Sequence, residues 1–523
     1  MKPIATLASL GLLNVLAGCA EDAPAPEAAP AHEAASIPEV HSWHDEVIYH
    51  VMPRSFRDSN GDRHGDLNGF VEQLDYLEAL GVTAILFTPL YASDFYHNYF
   101  PSDYEAIDPE YGTMEDYIAF VKAVHARDMK FIMDMETQYA PEGHPWLDDS
   151  LGNPASEYSD FIAYADDGNR LPEQFLIESG EPLTPYSVWP DKKLAIAHLD
   201  LNHPTVKQWM SDFFVYFVDP NGDGNFDDGV DGFRIDHIMD DLDHRGQFTN
   251  LYRGLWRPIF ERSRSINPAV FVVGEQADWG STGAEMVSES NADASFHFAL
   301  HGAIGGNEGK YALFDADKIE TAVTSSLDYA PGSPYVVNFI ENHDTTRFAT
   351  LAEGRDGPMR AAAVLNLFLP GVPAIYYGQE VGMTGRKMKD AGDSDGVDIP
   401  KREAFPWSSD IDTDGMAAWY VDSGPWWDQS LYHGSDVNKM TVVVQRADPG
   451  SLWNHYQELI AKRKSSEALR RGGFEREETD DDQVFAFRRT AGDDSVLVIV
   501  NLSNEPKTAM GQELDPWAYA LVD

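Results

Sequence analysis

The chain has 523 residues, 87 acids against 38 bases, a formal net charge of −49 and an ordinary apolar content of 43%. That length exceeds one small core and suits a barrel with appendages. The charge argues against a nucleic-acid partner and against electrostatic docking on anionic lipid, leaving a solvated acidic surface as its plain meaning.

The first element is a leader. Lys2 precedes an apolar stretch from Ile4 to Leu16, and Leu16-Ala17-Gly18-Cys19 closes it. A charged start, a short apolar core and small residues before a cut site predict a secretory signal over 1–19, too short to span a bilayer. The quartet is similar to the lipobox of bacterial lipoproteins. That resemblance implies cleavage before Cys19, lipid on its thiol, and a protein anchored to a membrane on the periplasmic or cell-surface side. Each buried methylene of such an anchor contributes about 0.8 kcal/mol. Cys19 is the only cysteine, which excludes an internal disulfide and a cysteine zinc cluster. Residues 20–42, rich in Ala, Pro and Glu, read as a disordered linker.

From Trp43 onward, apolar runs alternate with amphipathic stretches. Strands are predicted over 47–51, 82–88, 130–135, 230–236, 269–275, 294–300, 335–341 and 372–377. Val71, Leu74, Leu77 and Leu80 fall at helical spacing. Thr113 with Asp116 three residues on opens the next helix as a capping box, with Tyr117, Phe120, Val121 and Val124 on its buried face. Pro204 stands as the first-turn proline of a helix reaching 217. Eight near-continuous apolar strands separated by helices predict an α/β fold, a parallel (β/α)8 TIM barrel, over 43–137 and 204–466. A small domain B is expected as an insertion at 138–203. A long loop with Trp407, Trp419, Trp426 and Trp427 follows the eighth strand. Strands over 483–488 and 495–501 predict an antiparallel C-terminal β domain at 467–523.

Barrel enzymes carry their reacting groups at the C-terminal ends of strands. Here the third strand ends in Asp134, the fourth in Asp236, the fifth in Glu275, and the seventh leads to His343-Asp344. Arg234 and Asp236 share one strand face, so a guanidinium stands beside a carboxylate. Any one of these acids reads as an N-cap or a surface acid. Four converging on one mouth suit glycoside hydrolysis, which needs one ionised and one protonated carboxyl group.

With these motifs in place, the chain from about Trp43 onward resembles the α-amylase superfamily, glycoside hydrolase family 13. The opening IYHVMPRSFRDSNGDRHGDLNGF, then GVTAILFTPLY, FIMDMETQY, HLDLNHP, GFRID, VVGEQ, FIENHD and GVPAIYYGQE match its ordered motifs. The resemblance implies that Asp236 is the nucleophile, kept anionic by Arg234, and that Glu275 is the general acid and then base. It implies that Asp344 binds sugar hydroxyls beside His343, that Tyr99 is the aromatic platform under the sugar, and that His97 is its companion donor. Asp134 and Tyr139 join the sugar-binding set by position. The third-strand motif usually ends in Asn-His, where the Asn binds calcium and the His touches sugar. Gln138 and Tyr139 stand there, so the calcium between barrel and domain B and that sugar contact are not carried over. Met239-Asp240 replaces the usual Lys-His pair on the product side.

Two Asp-rich loops offer oxygen ligands at alternate positions. In the first, Asp58, Asn60, Asp62 and Asp66 surround a glycine, and the resemblance to oligo-1,6-glucosidases adds the carbonyl of His64 for a structural calcium. The second, with Asp219, Asn221, Asp223, Asn225 and Asp228, lacks the closing Glu of an EF-hand and reads equally as a calcium loop or a bare acidic turn. No organic cofactor and no obligate protein partner are inferred. The sequence thus predicts a secreted, lipid-anchored retaining hydrolase of α-1,4-glucosidic bonds in starch or maltooligosaccharides. An α-glucosidase, an α-1,6-glucosidase or cyclomaltodextrinase, or a transglycosylase of the trehalose synthase type is the alternative. A non-catalytic glucan-binding protein would be expected to lack Asp236 or Glu275, and both are present.

Overall fold

The structure, a computed structural model, describes residues 42–523 except 175–183, 190, 277–278, 307–312, 328–334 and 390–393. The leader, Cys19 and all of the linker but Ser42 lie outside the described residues. Strands β1 (Ile48–Val51), β2 (Ala84–Phe87), β3 (Lys130–Met135), β4 (Gly232–Ile238), β5 (Phe271–Gln276), β6 (Ala294–Phe296), β7 (Tyr335–Asn338) and β8 (Val372–Tyr376) close into a parallel barrel. Each strand pairs with its sequence neighbours, and β1 closes the ring on β8. Ile48, Leu86, Ile132, Val273, Val337 and Ala374 fill the interior. Tyr49, Ile85, Phe131, Phe233, Val272 and Ile375 belong to the larger core, outside the barrel wall. Because both faces are covered, the strands read as apolar runs instead of alternating ones.

Helix ends follow their sequence signals. Helix α1 (Leu67–Glu72) is capped by Asp66, which accepts from the Gly69 N–H. The run expected as one helix from Val71 breaks at Gln73, and α2 (Leu74–Leu80) continues it. Helix α3 (Met114–His125) has both halves of the Thr113–Asp116 capping box and buries Tyr117, Phe120, Val121 and Val124. Pro204 opens α4 (Pro204–Val218). Several strand expectations are shortened, among them 82–88, which is found as Ala84–Phe87. β6 stops at Phe296, and Phe298–His301 is a helical turn; β7 stops at Asn338. Short apolar runs suit either conformation, so periodicity could not separate them. Between β3 and α4, strand Tyr139–Pro141 pairs antiparallel with Ile196–His198, folding the excursion over the end of β3.

Helices α5 (Asp356–Phe368) and α6 (Leu452–Ser465) pack together ahead of an antiparallel sheet of β9 (Gly473–Glu477), β10 (Val484–Ala491), β11 (Asp494–Asn501) and β12 (Tyr519–Val522). Two buried arginines fasten this tail to the N-terminal ends of the barrel strands. Arg463 donates to the carbonyls of Leu367, Gly371, His44 and Leu469 at 2.7–3.0 Å. Arg489 donates to the Phe368 carbonyl at 2.5 Å and to that of Gly472 at 2.7 Å. These bonds satisfy carbonyls that the end of a helix and the start of a strand leave bare.

Candidate active site

Asp236, Glu275 and Asp344 line one cavity of about 580 Å³ at the C-terminal ends of β4, β5 and β7. Arg234 stands behind it and ties Asp236 and Glu275 to Asp134. One terminal nitrogen donates to Asp236 Oδ1 at 2.5 Å and to both oxygens of Asp134 at 2.9 Å, and the other donates to Glu275. The pairing of Arg234 with Asp134 across the β4–β3 ladder puts the two on one inward face. Tyr99 closes the network, donating to Asp134 at 2.6 Å and meeting His343 Nε2 at 2.9 Å. His343 Nε2 lies 3.0 Å from Asp344, whose other oxygen accepts from Arg402 at 3.0 Å.

The environment drives the carboxyls apart in acidity. Burial opposes ionisation of Asp236, but His237 and Arg234 override it and hold this group far below the usual range. At Asp344 burial is likewise outweighed, by His343, Arg402 and Lys401. At Glu275 burial wins over Arg234, with the charges of Asp236 and Asp344 assisting, and the carboxyl is raised to about 8. The cleft therefore presents ionised and protonated carboxyls side by side near neutrality, the pairing that general acid and nucleophile require. Burial also lowers His97 to about 3, so it meets a substrate as a neutral imidazole.

His97, Tyr99 and His343 reach the cavity wall. Arg234, Asp134 and Tyr139 do not line it; they form the layer behind. Tyr139 is fully buried, and its hydroxyl meets His237 Nε2 at 2.7 Å. Gln138 turns inward too, donating to the Asp236 carbonyl at 3.3 Å and to Glu136 at 3.4 Å.

Sequence reasoning missed several groups. His237 lines the cavity because a bulge after Ile235 rotates it there. Glu136, wholly buried, stands 3.8 Å from that imidazole. Trp279, 45% exposed, lies flat on Phe298 at 4.6 Å and 9° and offers its other face to the cleft. Asp395, Asp398 and Arg402 come from the loop after β8. Two tryptophans of that loop pin it: Trp407 donates to the Phe56 carbonyl and Trp419 to Ser55, and Trp419 stacks on Tyr96.

The two Asp-rich loops share one construction. Asp58 accepts from the N–H groups of Asn60, Gly61 and Arg63, Asn60 from Asp62, and Asp62 from His64. Asp219 accepts from Gly222, Asp223 and Gly224, Asn221 from Asp223, and Asp223 from Asn225. Asp228 receives the Asn221 amide at 2.6 Å, and its second oxygen is buried without a hydrogen-bond partner. Both donor sets are all oxygen, the chemistry a hard divalent cation takes. Among the described residues, though, the three-residue gathering of His and carboxylate groups at ligand spacing is Glu136, Asp236 and His237, within 4.8 Å, and neither loop forms one.

Residues 50–472 match the family model described as alpha amylase, catalytic domain. Alpha-amylase 3 of Dictyoglomus thermophilum is 28% identical over 89% of this chain and 86% of its own length. Probable oligo-1,6-glucosidase 2 of Bacillus subtilis is 26% identical over 88% of this chain and 91% of its own. Trehalose synthase/amylase TreS of Mycobacterium tuberculosis is 26% identical over 92% and 86%. Among solved structures, the alpha-amylase from H. orenii superposes with a TM-score of 0.73 at 28% identity, covering 88% of this chain and 90% of that one.

Proposed function

The chain belongs to the alpha-amylase family, glycoside hydrolases acting on α-glucans, and on that premise we propose that it cleaves α-1,4-glucosidic bonds in starch or maltooligosaccharides by two-step retaining displacement. The observation that carries this reading is the shared guanidinium of Arg234, with ionised Asp236 on one nitrogen and Glu275 on the other. That tether keeps the two carboxyls close together, as retaining displacement requires (about 5–5.5 Å).

Asp236 attacks the anomeric carbon while Glu275 gives its proton to the departing sugar oxygen. The Glu275 carboxylate then takes a proton from water as that water attacks the same carbon and frees Asp236. Asp344 and His343 hold ring hydroxyls, Tyr99 lies under the ring, and His97 donates beside it. Trp279 gives a flat face on which a further sugar can stack.

A second reading, α-1,6 or exo cleavage or transfer, is supported by relatives named oligo-1,6-glucosidase and trehalose synthase at similar identity. Product analysis on starch, maltotriose, panose and a cyclodextrin separates the two. A maltooligosaccharide ladder from starch supports the first. Glucose alone from maltotriose, or panose as the preferred substrate, overturns it in favour of the second.

Calcium at Asp58, Asn60, Asp62, the His64 carbonyl and Asp66 would stiffen the rim without taking part in the chemistry, and the loop with Asp219, Asn221, Asp223, Asn225 and Asp228 offers a second all-oxygen set that serves equally as a bare acidic turn. Secretion and lipid attachment at Cys19 complete the proposal. Among the described residues no helix is long and apolar enough to cross a membrane. Cys19→Ala should move the protein out of the membrane fraction; unchanged partitioning would remove the anchor.

A further inference from the structure

One cation in the cleft has no place in the chemistry so far. His237 follows Asp236 directly, and in an unbroken strand it would point to the opposite face. The bulge after Ile235, with φ 20° at His237, brings the imidazole round beside the carboxylate. A non-glycine residue persists in such a conformation only when its surroundings hold it there. They do: Nδ1 lies 2.5 Å from Asp236 Oδ2, and Nε2 lies 2.7 Å from the Tyr139 hydroxyl, with the two rings stacked at 5.4 Å and 26°. Tyr139 occupies the position at which the family's third-strand motif carries a histidine. An imidazole is thus supplied from β4, steadied by the tyrosine that stands in the usual one's place.

The groups around His237 come from several elements. Asp236 and Arg234 share its strand, Glu136 and Tyr139 come from the end of β3, and Glu275 comes from β5. His198 comes from the excursion after β3 and packs against Tyr139. Burial alone would keep the ring neutral, but Asp236 above all outweighs it and pushes His237 up to about 9.

We propose that His237, fixed by Tyr139, is a positioning residue for the nucleophile: it holds Asp236 Oδ2 while Arg234 holds Oδ1, and it speeds release of that carboxylate from the glycosyl-enzyme. The inference rests on the retaining reading above. When the intermediate breaks down, the water oxygen bonds to the anomeric carbon and the water proton passes to Glu275. The bond from that carbon to Asp236 breaks, and its electron pair returns to the carboxylate. Whichever oxygen carried the sugar, the other keeps a cationic donor throughout, and the freed one regains its own. Cations on a carboxylate make it a slower nucleophile and a better leaving group, so His237 favours the second step over the first.

The test uses α-maltosyl fluoride, whose fluoride leaves readily and makes breakdown of the intermediate limiting. Wild type, His237→Ala, His237→Gln and Tyr139→Phe are compared by kcat, by KM and by the fraction of covalently maltosylated enzyme in acid-quenched intact mass. His237→Ala should lower kcat about ten-fold or more, lower KM with it, and, at a fluoride concentration well below the wild-type KM, raise the covalent fraction well above wild type. His237→Gln, which keeps a donor without the charge, should fall between. Tyr139→Phe, which keeps the ring and removes the hydroxyl, should show a smaller shift in the same direction. It also decides the matter if His237→Ala does not fold. Kinetics within two-fold of wild type, or a loss of kcat with no rise in the covalent fraction, would overturn the proposal while leaving the retaining reading standing. A wild-type enzyme that turns over the fluoride but forms no covalent adduct under any condition, and inverts configuration, would overturn both.

Discussion

The two ends of the barrel both bury arginines, and they use them differently. At the C-terminal ends of the strands Arg234 meets Asp134, Asp236 and Glu275, and Arg402 meets Asp344. At the N-terminal ends Arg463 and Arg489 meet backbone carbonyls, and neither is in an ion pair among the described residues. Charge facing charge leaves each partner tunable, because the position of one proton alters the others. Charge facing carbonyls has nothing to tune and serves to join the tail sheet to the barrel. Burial lowers Arg463 and Arg489 to about 9, whereas the acids around Arg234 outweigh its burial and raise it. Buried charge by itself therefore does not mark a reactive site; the chemical identity of its partner does.

Breaking the upper end should have the largest effect. Asp236→Asn is expected to reduce kcat on starch by about 10⁴-fold or more, with the melting temperature within a few degrees of wild type. Next comes pH. Glu275 must be protonated to act as acid, so kcat/KM should fall about ten-fold per pH unit above pH 8. Stability should lean the same way: in the unfolded chain these groups ionise at 3.8 (Asp) and 4.5 (Glu), whereas Glu275 and Glu403 at about 8 and Asp134, Glu380 and Asp395 at about 7 keep their protons when folded. Their contribution is whole below the unfolded values and is lost as pH rises through 7–8. Denaturant midpoints measured from pH 5 to 9 read this directly, and a flat kcat/KM across pH 8–9 would deny Glu275 its role.

At the lower end, Arg463→Met should cost about 3 kcal/mol through carbonyls left unpaired, seen as a lower urea midpoint. The kcat per folded molecule should not change, and a loss of kcat would erase the distinction between the ends. The smallest effect belongs to the rim. Calcium should raise the melting temperature by about 2–4 °C, and Asp62→Ala should abolish that rise. No response to calcium or chelator would return the loop to a bare acidic turn.

Much of this was legible in the sequence, for physical reasons that also set the limits. A charge ending an apolar run is conspicuous, so Asp134, Asp236 and Glu275 were found at their strand ends, and Lys130–Met135 was bounded to the residue. The Thr113–Asp116 box and Pro204 act within one turn of chain, and local signals survive folding. His237 was hidden because strict alternation assigns it to the wrong face; the bulge that reverses it leaves no compositional trace. Arg402 reaches Asp344 across 58 residues, and no local pattern announces such a contact. The role of the loop tryptophans was open in the sequence because an indole stacks on sugar and on protein equally well, and only burial separates the uses.

The tail's grip on the barrel has a consequence during synthesis. Gly371 and Leu367 are translated long before Arg463, and Phe368 before Arg489, so the floor of the barrel waits with open carbonyls while about a hundred further residues emerge. A ribosome stalled short of Arg489 would hold a ring of staves lacking its last fastening, an easy target for chaperones and proteases. The segment that carries Arg463 and Arg489 would then act as the latch of the barrel floor.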